Sequence, residues 1–100
     1  MLVLADAWIA LRGTIAVQTH ALDAFGALDI VVNNAGTIRR APAAETSDED
    51  WLAVIDVNLG SAFRMCRAAG RHMLAQGRGK IVNVASLLAF QGGILVPAYA

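Results

Sequence analysis

A chain of 100 residues is long enough for at most one small domain, and its composition, 57% apolar and 16% charged, supplies ample core material. The formal net charge of zero argues against nucleic acid or an anionic membrane surface as a partner. The single cysteine, Cys66, excludes an internal disulfide bond and suits a reducing compartment. No apolar run reaches bilayer-spanning length and no signal peptide is recognisable, so we predict a cytoplasmic protein.

The first third of the chain is predicted to form a strand, a helix and a second strand. Residues 1–5 are apolar and end at Asp6, and a helix is predicted over 7–25, closed by Gly26 as its C-terminal cap. The second strand is predicted over 28–33. The apolar face of the helix is loosely defined by four residues, Ile9, Ile15, Leu22 and Phe25.

The segment 28–36 (LDIVVNNAG) is the most informative stretch of the chain. Its apolar part is β-branched and does not alternate with polar residues, which is typical of a parallel strand buried on both faces. Asn33, Asn34 and Gly36 then supply hydrogen-bonding side chains and backbone freedom where the strand ends. In open α/β sheets ligands bind at that end of the strands.

A loop and a long amphipathic helical region are predicted next. In the loop 37–46, the paired cations Arg39 and Arg40 are either solvated or bind an acidic substrate, and the sequence leaves both readings open. Ser47 has the sequence context of a helix N-cap. The following apolar positions, spaced three and four apart, predict one long helix or two meeting near Asn58. They are Trp51, Val54, Ile55, Leu59, Ala62, Phe63, Cys66, Ala69 and Met73.

The last third predicts a third strand over 80–85 and an apolar loop over 87–98. The alternation of strands and helices predicts an α/β fold: a partial Rossmann-like, doubly wound parallel sheet with helices on both faces. Ser86 follows the third strand directly, as Asn34 follows the second, so both are expected at one edge of the sheet. Tyr99 comes thirteen residues after Ser86. A serine, a tyrosine and an amide in one apolar crevice can polarise a carbonyl group and exchange a proton with it, although each residue alone is more often structural.

These motifs together resemble the short-chain dehydrogenase/reductase family. The resemblance rests on residues 33–36 (NNAG), 57–59 (VNL), the strand that ends at Ser86, and Tyr99, and it extends from about residue 24 to residue 100. A narrower resemblance, carried by segments 38–40, 86–93 and 96–99, is to the sugar-acid reductases of that family. It implies a secondary alcohol or ketone of the 2-deoxygluconate type as substrate, and a dimer or tetramer as the full-length form.

The resemblance also implies a role for each matching residue. Tyr99 would be the general acid/base and Ser86 would hold the substrate oxygen. Asn58 would kink a helix and hold a relay water. Four further residues would contact NAD or NADP: Asn34, Ala35 and Gly36 on the ribose side, and Asp6 at the adenine. Neither His20 nor His72 has a second ligand at metal spacing, so no metal site is predicted.

Two parts of the family pattern are not found in these 100 residues. No glycine-rich turn precedes the strands, and the lysine expected four residues after the tyrosine would be residue 103. An ammonium group beside a phenol lowers the phenol's pKa, which is ordinarily near ~10, toward neutrality. We therefore expect residues 1–100 to form one partial dinucleotide-binding domain that is inactive alone. The alternatives are a non-catalytic fragment or pseudoenzyme acting through its helices, and a flavodoxin-like binding module.

Overall fold

The computed structural model describes residues 2–5 and 11–100, which contain a three-stranded parallel sheet. The strands are β1 (Leu2–Ala5), β2 (Ile30–Asn33) and β3 (Lys80–Asn83), in the order β1-β2-β3. The central strand β2 pairs in register with both neighbours, so that Asn33 lies opposite Asn83 of β3. The predicted α/β class and parallel sheet are confirmed, with β2 and β3 each two residues shorter than predicted.

Within the described residues, four α-helices connect and follow the strands. They are α1 (Leu11–Phe25), α2 (Asp48–Ile55), α3 (Ser61–Gln76) and α4 (Leu88–Gln91). Between α2 and α3 the helix continues through a π-helical turn, Asp56–Gly60, with Asn58 at its middle. Of the two alternatives left open by the sequence, the structure has one continuous helical run, with a π-turn at the position where two helices could have met.

The helix ends follow the local chemistry that the sequence predicted. The Ser47 hydroxyl accepts a hydrogen bond from the Asp50 amide at 3.1 Å and caps α2. Gly26 and Gly77, with φ of 72° and 74°, end α1 and α3 in the left-handed conformation that glycine adopts without strain.

Two segments predicted as loops contain short helices. In 87–98, residues 88–91 form α4, because no glycine or proline interrupts the run before Gly92, whose φ of 70° ends it. In 37–46, Ala43–Glu45 forms one 3₁₀ turn directly after Pro42. In both segments a single hydrogen-bonded turn forms between residues that break a longer helix.

The core lies between the sheet and the paired helices α1 and α3. It consists of Ala21, Leu28, Val31, Met65, Ala69 and Met73, with Leu22 and Ile81 partly buried against it. Alternate strand residues therefore point to one helical layer, while Val82 and Val84 on the other side are 49% and 57% exposed. Helices on that second face stay a prediction.

Four of the described large apolar residues assigned to apolar faces from the sequence are exposed, among them Trp51 at 44%. Phe25, Leu59 and Phe63 are each at least 60% exposed. Phe25 is the last residue of α1, and the other two lie on the outer side of the π-turn and α3. The apolar stripe is wider than the sheet that covers it.

Gly79, just before β3, is the glycine that packing most requires. Its φ is 154°, and an added Cβ would overlap the buried side chain of Met73. We expect Gly79→Ala to lower the free energy of unfolding by about 2–4 kcal/mol, because strain and overpacking add. The measurement is urea unfolding of the chain.

Gly70 provides the matched control for this substitution. It lies inside α3, and a Cβ added there would meet nothing within 4 Å, so Gly70→Ala should stabilise the helix by about 0.5–1 kcal/mol. Equal midpoints for the two alanine variants would contradict the packing argument.

Candidate active site

A crevice at the carboxyl ends of β2 and β3 brings together the residues that the sequence singled out. Its volume is about 260 Å³. It is lined by Asn34, Ala35, Gly36, Asn58, Val84, Ala85, Ser86, Ala89 and Tyr99. Six of the seven predicted site residues thus surround one cavity, and the seventh, Asp6, lies outside the described residues.

Ser86 lies half-buried where the chain leaves β3 and turns into α4. Its Oγ accepts a hydrogen bond from the Leu88 amide at 3.2 Å, and its carbonyl accepts one from the Ala89 amide. The Leu88 contact uses a lone pair of the hydroxyl and leaves its proton available. The Ser86 hydroxyl can therefore donate to an oxygen atom placed in the crevice.

Tyr99 reaches the crevice because the preceding segment folds back tightly. Val96 is fully buried and its carbonyl accepts hydrogen bonds from the amides of Tyr99 and Ala100, at 3.2 and 2.9 Å. Close packing of Gly93 on the Val96 side chain leaves no room for a Cβ at position 93. The tyrosine ring is half-buried beside Ser86, as the thirteen-residue spacing suggested.

Asn58 forms a two-point contact with the backbone of the loop after β2. Its Oδ1 accepts a hydrogen bond from the Thr37 amide at 2.8 Å, and its Nδ2 donates to the Thr37 carbonyl at 3.0 Å. The π-turn widens the helix at this point and presents the amide to the loop. Asn58 therefore fixes the loop that carries Asn34, Ala35 and Gly36, and its relay water stays a prediction.

The paired arginines of the same loop lie outside the crevice lining. Arg39 donates to Thr37 Oγ1 at 3.1 Å and forms an exposed ion pair with Asp50 at 3.5 Å. Arg40 is exposed. Arg39 thus has an exposed ion-pair partner on α2, neither arginine lines the crevice, and an acidic substrate for this pair stays a prediction.

Three lining residues were missed from the sequence: Val84, Ala85 and Ala89. They have no chemistry-bearing side chains, so only their position next to Ser86 could have revealed them. Their small or compact side chains shape the wall of the crevice and leave space for a ligand.

Replacing Asn58 with alanine is expected to loosen the 34–37 loop. Loss of both hydrogen bonds to Thr37 should lower the free energy of unfolding by about 2 kcal/mol. Asn58→Asp is the informative companion, because it keeps the acceptor for the Thr37 amide but loses the donor to the carbonyl. In urea unfolding, the midpoint of Asn58→Asp should lie between those of the parent chain and Asn58→Ala. An unchanged midpoint for Asn58→Ala would contradict the role of Asn58 in holding the 34–37 loop.

With the geometry established, comparison with known proteins places the chain in a family. The family model described as short chain dehydrogenase matches residues 9–100. The chain belongs to the short chain dehydrogenase family. The resemblance seen in its motifs is confirmed.

Two curated relatives are 2-dehydro-3-deoxy-D-gluconate 5-dehydrogenases. The protein from Bacillus subtilis is 60% identical over 72 residues, which are 72% of this chain and 28% of that protein. The Escherichia coli protein is 52% identical over 88 residues, 87% of this chain and 35% of that protein. The chain therefore spans about a third of the length of these dehydrogenases.

A solved structure supports the fold. A gluconate 5-dehydrogenase from Burkholderia cenocepacia, in complex with NADP and tartrate, superposes with a TM-score of 0.82 at 37% identity. The match covers 90% of this chain and 35% of that structure. In the described part of the present chain, no helix is both long and apolar enough to cross a membrane.

Proposed function

We propose that this chain supplies the catalytic centre of an NAD(P)-dependent dehydrogenase that interconverts a secondary alcohol and a ketone on a sugar acid. The observation that carries the proposal is the crevice that Asn58, Ser86 and Tyr99 line together with residues 34–36. Hydroxyl donors and small side chains at the carboxyl ends of parallel strands suit a carbonyl substrate beside a cofactor.

In this proposal the chain's own residues bind and protonate the substrate oxygen. Ser86 donates its hydroxyl proton in a hydrogen bond to that oxygen, and Tyr99 gives its phenolic proton to it during reduction or removes the proton during oxidation. Asn58 keeps the loop of residues 34–36 in place through its hydrogen bonds with Thr37.

The residues at the end of β2 fit the ribose side of a nicotinamide cofactor. Ala35 and Gly36 leave the wall free of bulky side chains, and Asn34 offers an amide next to them. The cofactor supplies the hydride acceptor or donor. The chain's contribution is to hold the reacting carbon of the substrate beside it and to handle the proton.

A sugar acid is the proposed substrate class because several relatives are named for such substrates. The Bacillus subtilis and Escherichia coli proteins are named for 2-dehydro-3-deoxy-D-gluconate, and the structural neighbour for gluconate. Arg40, an exposed cation of the same loop that lies outside the crevice lining, is the residue that we propose for the substrate carboxylate.

A hybrid enzyme tests this function. In the hybrid, the present chain replaces the segment that it matches in the Bacillus subtilis relative, which contributes the remaining part of the dehydrogenase. We expect reduction of NAD or NADP with 2-dehydro-3-deoxy-D-gluconate, the compound for which the relative is named, and slower turnover with D-threitol, which lacks the carboxylate. A folded hybrid that turns over no substrate of either kind would contradict the proposal.

We also propose that the chain self-associates through the outer side of α3. Phe63 is 60% exposed there, with the Arg67 guanidinium 5.2 Å from its ring centre, and Leu59 and Leu74 extend the same apolar surface. An exposed apolar stripe along a helix favours pairing with a second copy.

Light scattering of the chain at tens of micromolar tests self-association. We expect a dimer or larger species, and Phe63→Glu should shift it toward monomer because a charge would be buried at the interface. The control is Phe90→Glu, which changes an aromatic residue on α4 that is more exposed than Phe63. A monodisperse monomer for the parent chain would contradict the proposal.

A further inference from the structure

Two asparagines in register, at the ends of β2 and β3, form a cluster with the Cys66 thiol of α3. Asn33 is buried, and its Nδ2 donates to Asn83 Oδ1 at 2.7 Å. The same Nδ2 lies 3.3 Å from Cys66 Sγ on α3, which is 3.8 Å from Asn83 Oδ1. Three elements, β2, β3 and α3, thus meet in one closed triangle of polar groups.

The cluster lies directly before the residues that line the crevice. Asn34 follows Asn33, and Ser86 comes three residues after Asn83. A backbone hydrogen bond from the Val84 amide to the Asn33 carbonyl, 3.0 Å long, joins the two strands at the same level. The Asn33–Asn83 side-chain contact is thus one of two contacts that join β2 and β3 directly before the residues that line the crevice.

The side-chain amide of Asn33 makes its hydrogen bonds through its nitrogen atom alone. Both of its polar contacts use Nδ2, and its buried Oδ1 has no hydrogen-bond partner among the described residues. Removal of the Asn83 acceptor would leave the thiol as the remaining contact, and a thiol is a weak acceptor. The orientation of the buried amide therefore depends on Asn83.

We infer that Asn83 is a positioning residue, which acts with Cys66 through Asn33 to set the spacing between Ser86 and the Asn34–Gly36 wall. This inference rests on the proposed function, because the spacing matters for the reaction that the crevice would perform. Neither Asn83 nor Cys66 lines the crevice. Their effect on turnover would be geometric, and a small misplacement of reacting groups can lower a rate by about 100-fold.

Gln76 is the matched control. Its Nε2 donates to the Leu28 carbonyl at 2.6 Å and to the Arg78 carbonyl at 2.9 Å, so it also joins α3 to the chain around β2. These contacts lie just before the amino ends of β2 and β3, whereas the crevice lies at their carboxyl ends. Gln76→Ala should lower the stability of the fold, because it removes the two hydrogen bonds donated by the side-chain amide, without moving the crevice walls.

The first test compares kinetics and thermal stability in the hybrid enzyme. We expect Asn83→Ala to lower kcat by about 10- to 100-fold, and Asn83→Asp to recover much of the loss because a carboxylate oxygen still accepts from Asn33 Nδ2. Gln76→Ala should lower Tm and keep kcat near the parent value. Equal kcat for Asn83→Ala and Gln76→Ala would overturn the inference.

The second test needs no turnover and uses the 100-residue chain, in which Cys66 is the single cysteine. Its rate of reaction with an aromatic disulfide reagent should rise at least severalfold in Asn83→Ala and stay unchanged in Gln76→Ala. Faster labelling in both variants, or in neither, would overturn the inference that Asn83 holds Asn33 and Cys66 in place. An inactive parent hybrid would count against the proposed function only. The labelling rates would still show whether Asn83 restrains Cys66, because that test needs no turnover.

Discussion

Replacing Tyr99 with phenylalanine is expected to lower kcat of the hybrid enzyme by about 10²–10⁴-fold and to leave the KM for the cofactor nearly unchanged. The phenylalanine ring fills the same half-buried position at the crevice, but it has no proton to exchange with the substrate oxygen. A reaction that would otherwise create an alkoxide needs that proton, so the loss should lie toward the upper end. Steady-state kinetics with substrate and cofactor both saturating measures it.

The control for Tyr99→Phe separates proton transfer from folding. Val96, whose carbonyl holds the turn before Tyr99, is fully buried, so Val96→Ala should lower Tm and change kcat less than the tyrosine substitution. A Tyr99→Phe enzyme that retains a tenth or more of the parent kcat would remove Tyr99 from the proposed chemistry, since positioned proton transfer contributes at least about 10²-fold.

The sequence predicts the end of β2 at Asn33 correctly, whereas β3 ends at Asn83, two residues before its predicted end. A β-branched run without polar alternation is typical of a buried strand, and asparagines, glycine or serine after it mark where the apolar run stops. Asn34, Gly36 and Ser86 were located in this way, and the parallel order of the strands then places them at one edge. The site follows from topology once the strands are known.

The contacts within the site could not be predicted in the same way. The pairing of Asn58 with Thr37 depends on a π-turn, and nothing in the residue pattern distinguishes that turn from a simple meeting of two helices. The Asn33–Asn83 bond depends on a register that two short strands leave undetermined until they pair.

Burial was predicted least well, because periodicity identifies apolar residues but not what covers them. Leu59 and Phe63 share the helical spacing of the buried Met65 and Ala69, yet they lie on the outer side of the helix. The sheet is narrower than the apolar stripe of α3, so packing selects part of the stripe. The exposed remainder is where we propose that a second copy binds.

Replacing Ser86 with alanine is expected to cost less than replacing Tyr99. The substitution removes one hydrogen bond to an oxygen that becomes charged during the reaction, which is worth about 1.5–3 kcal/mol, or about 10- to 100-fold in kcat. It also removes the acceptor for the Leu88 amide at the start of α4, so a modest decrease in Tm should accompany the loss of rate. Kinetics and thermal unfolding of the same preparation measure both effects.

Two variants separate the catalytic contribution of Ser86 from its structural one. Ser86→Thr keeps a hydroxyl that can accept from Leu88 and donate into the crevice, so it should retain more activity than Ser86→Ala. Ser61→Ala removes a hydroxyl that donates to the Val57 carbonyl in the π-turn, outside the crevice lining, and should change Tm without a comparable loss of kcat. If Ser86→Ala lowered kcat more than Tyr99→Phe, the serine would hold the larger share of transition-state stabilisation. That result would contradict the expected order, in which proton transfer by Tyr99 contributes about 10²–10⁴-fold and the Ser86 hydrogen bond about 10- to 100-fold.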